Sequence, residues 1–405
     1  MPHRDIGASR RLSRWIPAIA APIAIGVAVV LVPLQASAAV DLPDLTPAEL
    51  LEFAASSDVD ALSGTVEQRS ELGLPDLSGL TGAMGGGGAG SDDFGHAGGE
   101  GDEASATDLD DLISLATGTH TARVYLDESN ARLQVLDRLA ERDVYVSDEG
   151  VWIYDSAEKT ATHVTVDEAA LDALKAEAEA HADEARARLE AEAGGQLPTP
   201  EQVLDEALAR LDETTEVSVG TDGRVAGREV YELVLEPRDD DTLVGDITVA
   251  IDGDTGVALA ASVTARGGDE PAFSVAFTDV SFEAPDASVF AFTPPEGTSV
   301  TEHEVPIPTV AELEQWKAQA ESGDHGEGMP RPVVHGEGWS AVVELPAGAA
   351  GLGGEASGML QTLTEPVEGG RILSTSLVTV LLTDDGRVLA GAVTPERLLA
   401  AASGN

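Results

Sequence analysis

A chain of 405 residues with 73 acidic against 23 basic side chains carries a formal charge of -50, and such a surface repels nucleic acid and anionic lipid headgroups. It contains no cysteine, which excludes a disulfide framework and thiol-linked lipid attachment, so stability has to come from a packed core. The length suffices for one large domain and a smaller one.

Arg4, Arg10, Arg11 and Arg14 precede an apolar run from Trp15 to Leu34, and Ala36-Ser37-Ala38 follows it. This is the order of a signal peptide, with small residues at the cleavage site. Residues 1–38 are therefore read as a leader removed after Ala38, and the protein as exported, in the cell envelope or secreted. An uncleaved N-terminal membrane anchor is the alternative, because the run approaches the ~20 apolar residues that span a bilayer. Ser9-Arg10-Arg11 hints at twin-arginine export, but Ser13 stands where that signal wants a large apolar residue, which favours the general secretory route. Loss of four arginines and one aspartate with the leader takes the charge to about -53.

In the mature chain Thr46-Pro47-Ala48-Glu49 supplies an N-cap, a first-turn proline and a first-turn acid, which predicts a helix through Leu50, Leu51 and Phe53. Ser63 to Leu72 reads as a strand. Residues 82–107 are Gly, Ser and acid with almost no apolar side chains, a disordered Gly-rich insertion. Ala122–Leu126, Ala131–Leu136, Val144–Ser147, Val151–Asp155 and Ala161–Val166 follow as short β-branched and aromatic runs between Asn, Asp and Gly turns, a meander of antiparallel strands. Asp167 caps an Ala/Glu-rich helix through Ala193, and Thr199-Pro200-Glu201 opens another through Leu211.

Four more strands are expected at Glu229–Glu236, Gly245–Ile251, Val257–Arg266 and Ala272–Phe282, the middle pair joined by a turn over Asp252-Gly253-Asp254-Thr255-Gly256. Alternation places Tyr231, Leu233 and Leu235 on one face, Ile247, Val249 and Ile251 on another, and Phe273, Val275 and Phe277 on a third. Pro306 and Pro308 open a linker with a helix near Leu313 and Trp316, assigned to 306–336. Residues 337–405 then read as a small α+β domain: a strand over Trp339–Leu345, a helix near Met359, a hairpin turning at Asp384-Asp385-Gly386 and a last helix from Pro395.

No catalytic motif emerges. Asp252 to Gly256 lacks the later Glu of a calcium loop, and Gly351-Leu352-Gly353-Gly354 has no βαβ series around it. His325 and His335, each with a Glu two residues on, sit in Gly-rich linker composition. Neither a His-Glu-x-x-His nor a Gly-x-Ser-x-Gly pattern occurs. The chain is thus expected to be non-enzymatic, without cofactor or metal, and monomeric.

Helix, strands, two inserted helices, further strands and the closing Phe290-Ala291-Phe292-Thr293-Pro294-Pro295-Glu296-Gly297 resemble the LolA-like exported proteins of actinobacteria, the outer-membrane lipoprotein carrier/sorting family. Val151-Trp152-Ile153-Tyr154-Asp155-Ser156, Ala226-Gly227-Arg228-Glu229-Val230-Tyr231-Glu232-Leu233-Val234-Leu235 and Asp269-Glu270-Pro271-Ala272-Phe273 carry the same likeness. It covers roughly Leu42 to Val305, within an assigned domain of 39–305.

The resemblance implies an α+β fold: a half-open, strongly curved antiparallel β-barrel capped by helices, with the C-terminal domain as an appendage. It implies a concave apolar face that shelters acyl chains of a lipid or lipoprotein. The expected cavity is formed by Leu133, Val135, Tyr231, Leu233, Leu235, Ile247, Val249, Phe273, Val275 and Phe277, with Trp152 and Tyr154 at its mouth. Leu171 and Leu174 would anchor the helix from Asp167, whose alanine-faced second half would open as a lid. The appended domain and the same resemblance also suggest an RseB-like envelope-stress sensor that binds a lipidic signal and a membrane-anchored anti-sigma partner.

Overall fold

The computed structural model describes residues 42–73, 118–136, 140–166, 213–305, 332–348 and 363–404, with Ala176, Thr309 and Glu312 as single positions between them. The leader, the Gly-rich insertion, the helices read between Asp167 and Leu211 with Leu171 and Leu174, and the helix near Met359 lie outside the described residues.

Helix α1 (Pro47–Ala55) starts as the sequence dictates. The Glu49 amide donates to Thr46 Oγ1 at 3.3 Å and the Thr46 amide donates to Glu49 Oε2 at 2.8 Å, a reciprocal capping box. The Thr46 amide and hydroxyl, both donating to Glu49 Oε2, hold the Glu49 carboxyl below its ordinary range.

Most of the described chain is β-sheet. The first sheet has thirteen strands: β1 (Ala61–Ser70), β2 (Gly118–Asp127), β3 (Asn130–Leu136), β4 (Glu141–Ser147), β5 (Gly150–Asp155), β6 (Thr160–Val166), β7 (Thr215–Val219), β8 (Gly223–Val225), β9 (Arg228–Pro237), β10 (Val244–Asp252), β11 (Ala258–Ala265), β12 (Pro271–Ser281) and β13 (Ser299–Val305). Their order is β13-β6-β5-β4-β3-β2-β1-β12-β11-β10-β9-β7, with β8 pairing β9. β13 and β7 are edges, so among the described residues the sheet is open.

All neighbours are antiparallel except β13, which runs parallel to β6. This corrects the all-antiparallel expectation, and its cause is the route of the chain. β12 lies beside β1, seven strand spacings or about 33 Å from β13. Residues 282–298 make that crossing as a strap, and a crossover connection can deliver a parallel strand where a hairpin cannot.

The turn at Asp252 to Gly256 joins β10 to β11 as read from the sequence. Gly256 has φ +74, and a Cβ there would meet the Phe53 carbonyl oxygen at 2.8 Å, so only glycine lets the turn lie against the end of α1.

The second sheet comprises β14 (Val333–His335), β15 (Val342–Leu345), β16 (Glu365–Val367), β17 (Gly370–Ser374), β18 (Thr379–Thr383) and β19 (Val388–Gly391), in the order β14-β15-β19-β18-β17-β16. Helix α2 (Pro395–Ala402) packs Leu398 and Ala401 with Val342, Ile372, Leu381 and Leu389.

The two sheets are joined directly. Thr242 and Val393 form a β-bridge, the Leu243 amide donates to the Ala392 carbonyl at 2.8 Å, and the Ser376 amide donates to the Leu72 carbonyl at 2.9 Å. Trp339 Nε1 donates to Thr215 Oγ1 at 2.8 Å. Beneath these bonds Leu377 packs with Val244, Val263, Ala272 and Phe273 in one core cluster.

Candidate functional site

Successive residues of a strand point to opposite faces, so partners in register share a face. Pairing across β2 to β6 gives one face a row of Leu126, Ala131, Val146, Val151 and Val164, and beside it a row of Val124, Leu133, Val144 and Ile153. A third row runs from Ala122 and Val135 to Arg142, whose Nε donates to Asp155 Oδ2 at 3.1 Å. The aliphatic side chains are half-buried or exposed, Ile153 reaching 46%. Among the described residues none of them belongs to a core cluster. A continuous apolar face of this kind calls for something to cover it.

The opposite face of the same strands is closed. It carries Tyr125, Arg132, Tyr145, Trp152 and His163 in one row and Arg123, Gln134, Asp143, Tyr154 and Ala161 in the next. Asp143, 1% exposed, accepts from both Nε and Nη2 of Arg132 at 2.9 and 2.8 Å. The Arg132 guanidinium lies 4.6 Å from the Tyr145 ring centroid, and Trp152 stacks on His163 at 4.1 Å. The strap presses Phe292 onto this surface, with ring centroids 4.9 Å from Tyr145, 5.3 Å from Trp152 and 5.4 Å from Tyr154. Burial, reinforced by the nearby Asp143 charge, pushes the Tyr145 hydroxyl up to about 12.

By register Leu133 and Val135 share one sheet face with Tyr231, Leu233, Leu235, Ile247, Val249, Phe273 and Val275, and of the residues expected to line one cavity Trp152 and Tyr154 lie on the other. Leu133 and Val135 belong to the open aliphatic face, while Trp152 and Tyr154 lie on the closed one, beneath the strap and not at a cavity mouth. Tyr231 and Leu233, with Leu235 and Val249 beside them, pack against Leu50 and Phe53 of α1. Phe273 packs with Leu377 of the second sheet, and Ile247 and Val275 lie against that cluster. Phe277 packs with the cluster of Val230, Ala250 and Leu259, its ring set against Gly64. Leu171 and Leu174 are outside the described residues. The β9–β12 members other than Phe277 are thus packed under α1 or against the second sheet.

Two concavities flank α1. One, of about 290 Å³, is lined by Pro43, Asp44, Leu45, Thr221, Asp222 and Tyr231 among others. The other, of about 370 Å³, lies between Phe53 to Val59 and Asp254-Thr255. Neither touches the open face. Among the described residues no group of three or more His, Asp or Glu side chains could hold a metal ion, and no helix is long and apolar enough to cross a membrane.

Among the described residues, fold and face together define a two-sheet β protein with one aliphatic face that belongs to no core cluster. No protein-family model and no curated protein matches the chain. Among solved structures it is similar to the MucA/MucB complex of Pseudomonas aeruginosa, at 14% identity and a TM-score of 0.37, over 88% of this chain and 96% of that one. It is also similar to a LolA-superfamily protein of Nitrosomonas europaea (10% identity, TM-score 0.21, 62% of this chain and 99% of that one). A putative outer-membrane lipoprotein-sorting protein domain of Vibrio parahaemolyticus gives 10% identity and 0.21 over 60% and 95%. Likeness at these scores carries no functional weight.

Proposed function

We propose that this is an exported, non-enzymatic binding protein that shelters acyl chains of a lipid or lipoprotein for passage across the cell envelope. The open aliphatic face of β2 to β6 carries the reading. From β2 to β6 it spans four strand spacings, about 19 Å. One leaflet's share of a ~30 Å hydrocarbon core is about 15 Å, so a membrane acyl chain fits across the strands within the face. Each methylene it removes from water stabilises the complex by about 0.8 kcal/mol.

The test is binding of monomyristoylglycerol to the full chain and to Ile153→Asp, with Val343→Asp on the second sheet as control. Ile153 is exposed enough for the substitution to leave the fold intact, and affinity is expected to fall at least about tenfold, the cost of setting a charge against a buried chain. Equal affinity of Ile153→Asp and the unaltered protein refutes the site. Native mass spectrometry of protein taken from its own host would then identify the cargo.

One observation favours a second reading, a sensor that couples a lipidic signal to a membrane-anchored anti-sigma factor. The second sheet pairs Val334 with Val343, and Val343 with Ala390, on the face away from Leu381 and Leu389, and leaves Val334 60% exposed. A pull-down that recovers a membrane-anchored protein only when Val334 and Val343 are intact would favour this role over carriage.

A further inference from the structure

Strands β7 and β8 both pair with β9, and the chain between them carries one residue too many. Val219 lies opposite Leu233 and Gly223 opposite Val230, so Gly220, Thr221 and Asp222 face only Tyr231 and Glu232. The Gly220 amide still donates to the Glu232 carbonyl at 2.7 Å, and from there the strand bulges off β9. Pro43-Asp44-Leu45, which leads into α1, stands across the gap, and the two segments flank the concavity of about 290 Å³ with Tyr231 in its wall.

Tyr231 is only 5% exposed. Its ring is set edge-on to Phe53, 6.3 Å between centroids, yet among the described residues its hydroxyl has no hydrogen-bond partner. A buried phenol ordinarily finds one. Burial raises this hydroxyl above its ordinary value, and Asp222 and Asp44, one from each flank, add to the effect, which sets the hydroxyl end in the concavity between them. No lysine or arginine lines the concavity. The positive end of α1 is close by, but the Glu49 carboxylate of the capping box offsets it.

From the bulge, the unpartnered phenol and the two flanking carboxylates we propose that this concavity binds a small primary ammonium. An ammonium carries three donors and no acceptor, and the Tyr231 hydroxyl oxygen, Asp44 and Asp222 supply three acceptors. Asp222 has a further interaction of its own, and the two oxygens of a carboxylate serve both. A hard divalent cation takes about six to eight oxygens, and among the described residues no group of three or more His, Asp or Glu could hold one. The site is separate from the aliphatic face, so the inference stands without the acyl-binding reading.

Butylammonium and butyltrimethylammonium have the same charge and chain, but only the first has N–H donors. Each is titrated into the full chain at about 0.15 M salt, where screening sets in beyond about 8 Å, and followed by its NMR line broadening. The general attraction of a chain of charge -50 acts on both alike. Butylammonium should bind at least about tenfold tighter, the worth of one charge-assisted hydrogen bond. Tyr231→Phe removes the hydroxyl and keeps the ring. It should weaken butylammonium about tenfold, leave butyltrimethylammonium unchanged, and melt without ligand no lower than the unaltered protein, because a hydroxyl without a partner contributes no bond. Asp44→Asn should weaken both cations, and Asp254→Asn, at the other concavity beside α1, neither.

Equal affinity for the two cations, an undiminished preference in Tyr231→Phe, or an effect of Asp44→Asn no larger than that of Asp254→Asn overturns the inference. A lower melting temperature of ligand-free Tyr231→Phe overturns it as well, by showing that the hydroxyl already has a partner.

Discussion

Single charged residues in this protein are held by the side chains and amides around them. Asp252 is fully buried at the end of β10. Burial raises its carboxyl, but Arg228 and the Thr255 hydroxyl and amide donate to it, and together they bring it below the ordinary carboxylate range. A carboxyl whose folded value is depressed contributes stability above its unfolded value, near 3.9, and loses it as pH falls through the lower folded value. Asp252→Asn should therefore lower stability at neutral pH and flatten the acid arm of the stability curve below about pH 4, measured by urea unfolding across pH. An unchanged acid arm would show that the Arg228 pair contributes nothing.

At the scale of elements, what could be read in the sequence tracks how local the cause is. The capping box of α1, the turn at Asp252 and the alternating strands β9 to β12 depend on neighbours in the chain, and they form where the residues predict. β13 was missed because Ser299-Val300-Thr301-Glu302-His303-Glu304-Val305 is polar and lies between prolines, and its partner β6 is far away in sequence. The sides of Trp152 and Tyr154 were missed for another reason. Val151-Trp152-Ile153-Tyr154 is apolar at every position, so a period of two has no contrast to follow, and only the pairing with β4 assigns the faces. The strap then decides which face is closed. Phe292→Ala should remove its grip on Tyr145, Trp152 and Tyr154 and lower stability by about 2 kcal/mol, less than for a fully buried ring. Trp152 emission should shift to the red; an unshifted spectrum would show the strap held by other contacts.

For the molecule as a whole, the shared cluster around Leu377 and Phe273 makes the two sheets energetically one unit. The protein should unfold in a single calorimetric transition. Leu377→Ala, which leaves a cavity in that cluster at a cost of about 3 kcal/mol, should split it into two. Two transitions in the unaltered protein would contradict this coupling.

The bridge between Thr242 and Val393 has a consequence for how the protein could be made. Because backbone bonds and buried side chains join the sheets independently of the covalent connector, continuity of the polypeptide between them is dispensable. A protease site placed within residues 313–331 and cut in the folded protein should yield two fragments that still co-elute as one particle on size exclusion. Expressed separately and mixed, the fragments should reassemble, with the Leu377→Ala fragment failing to join its partner.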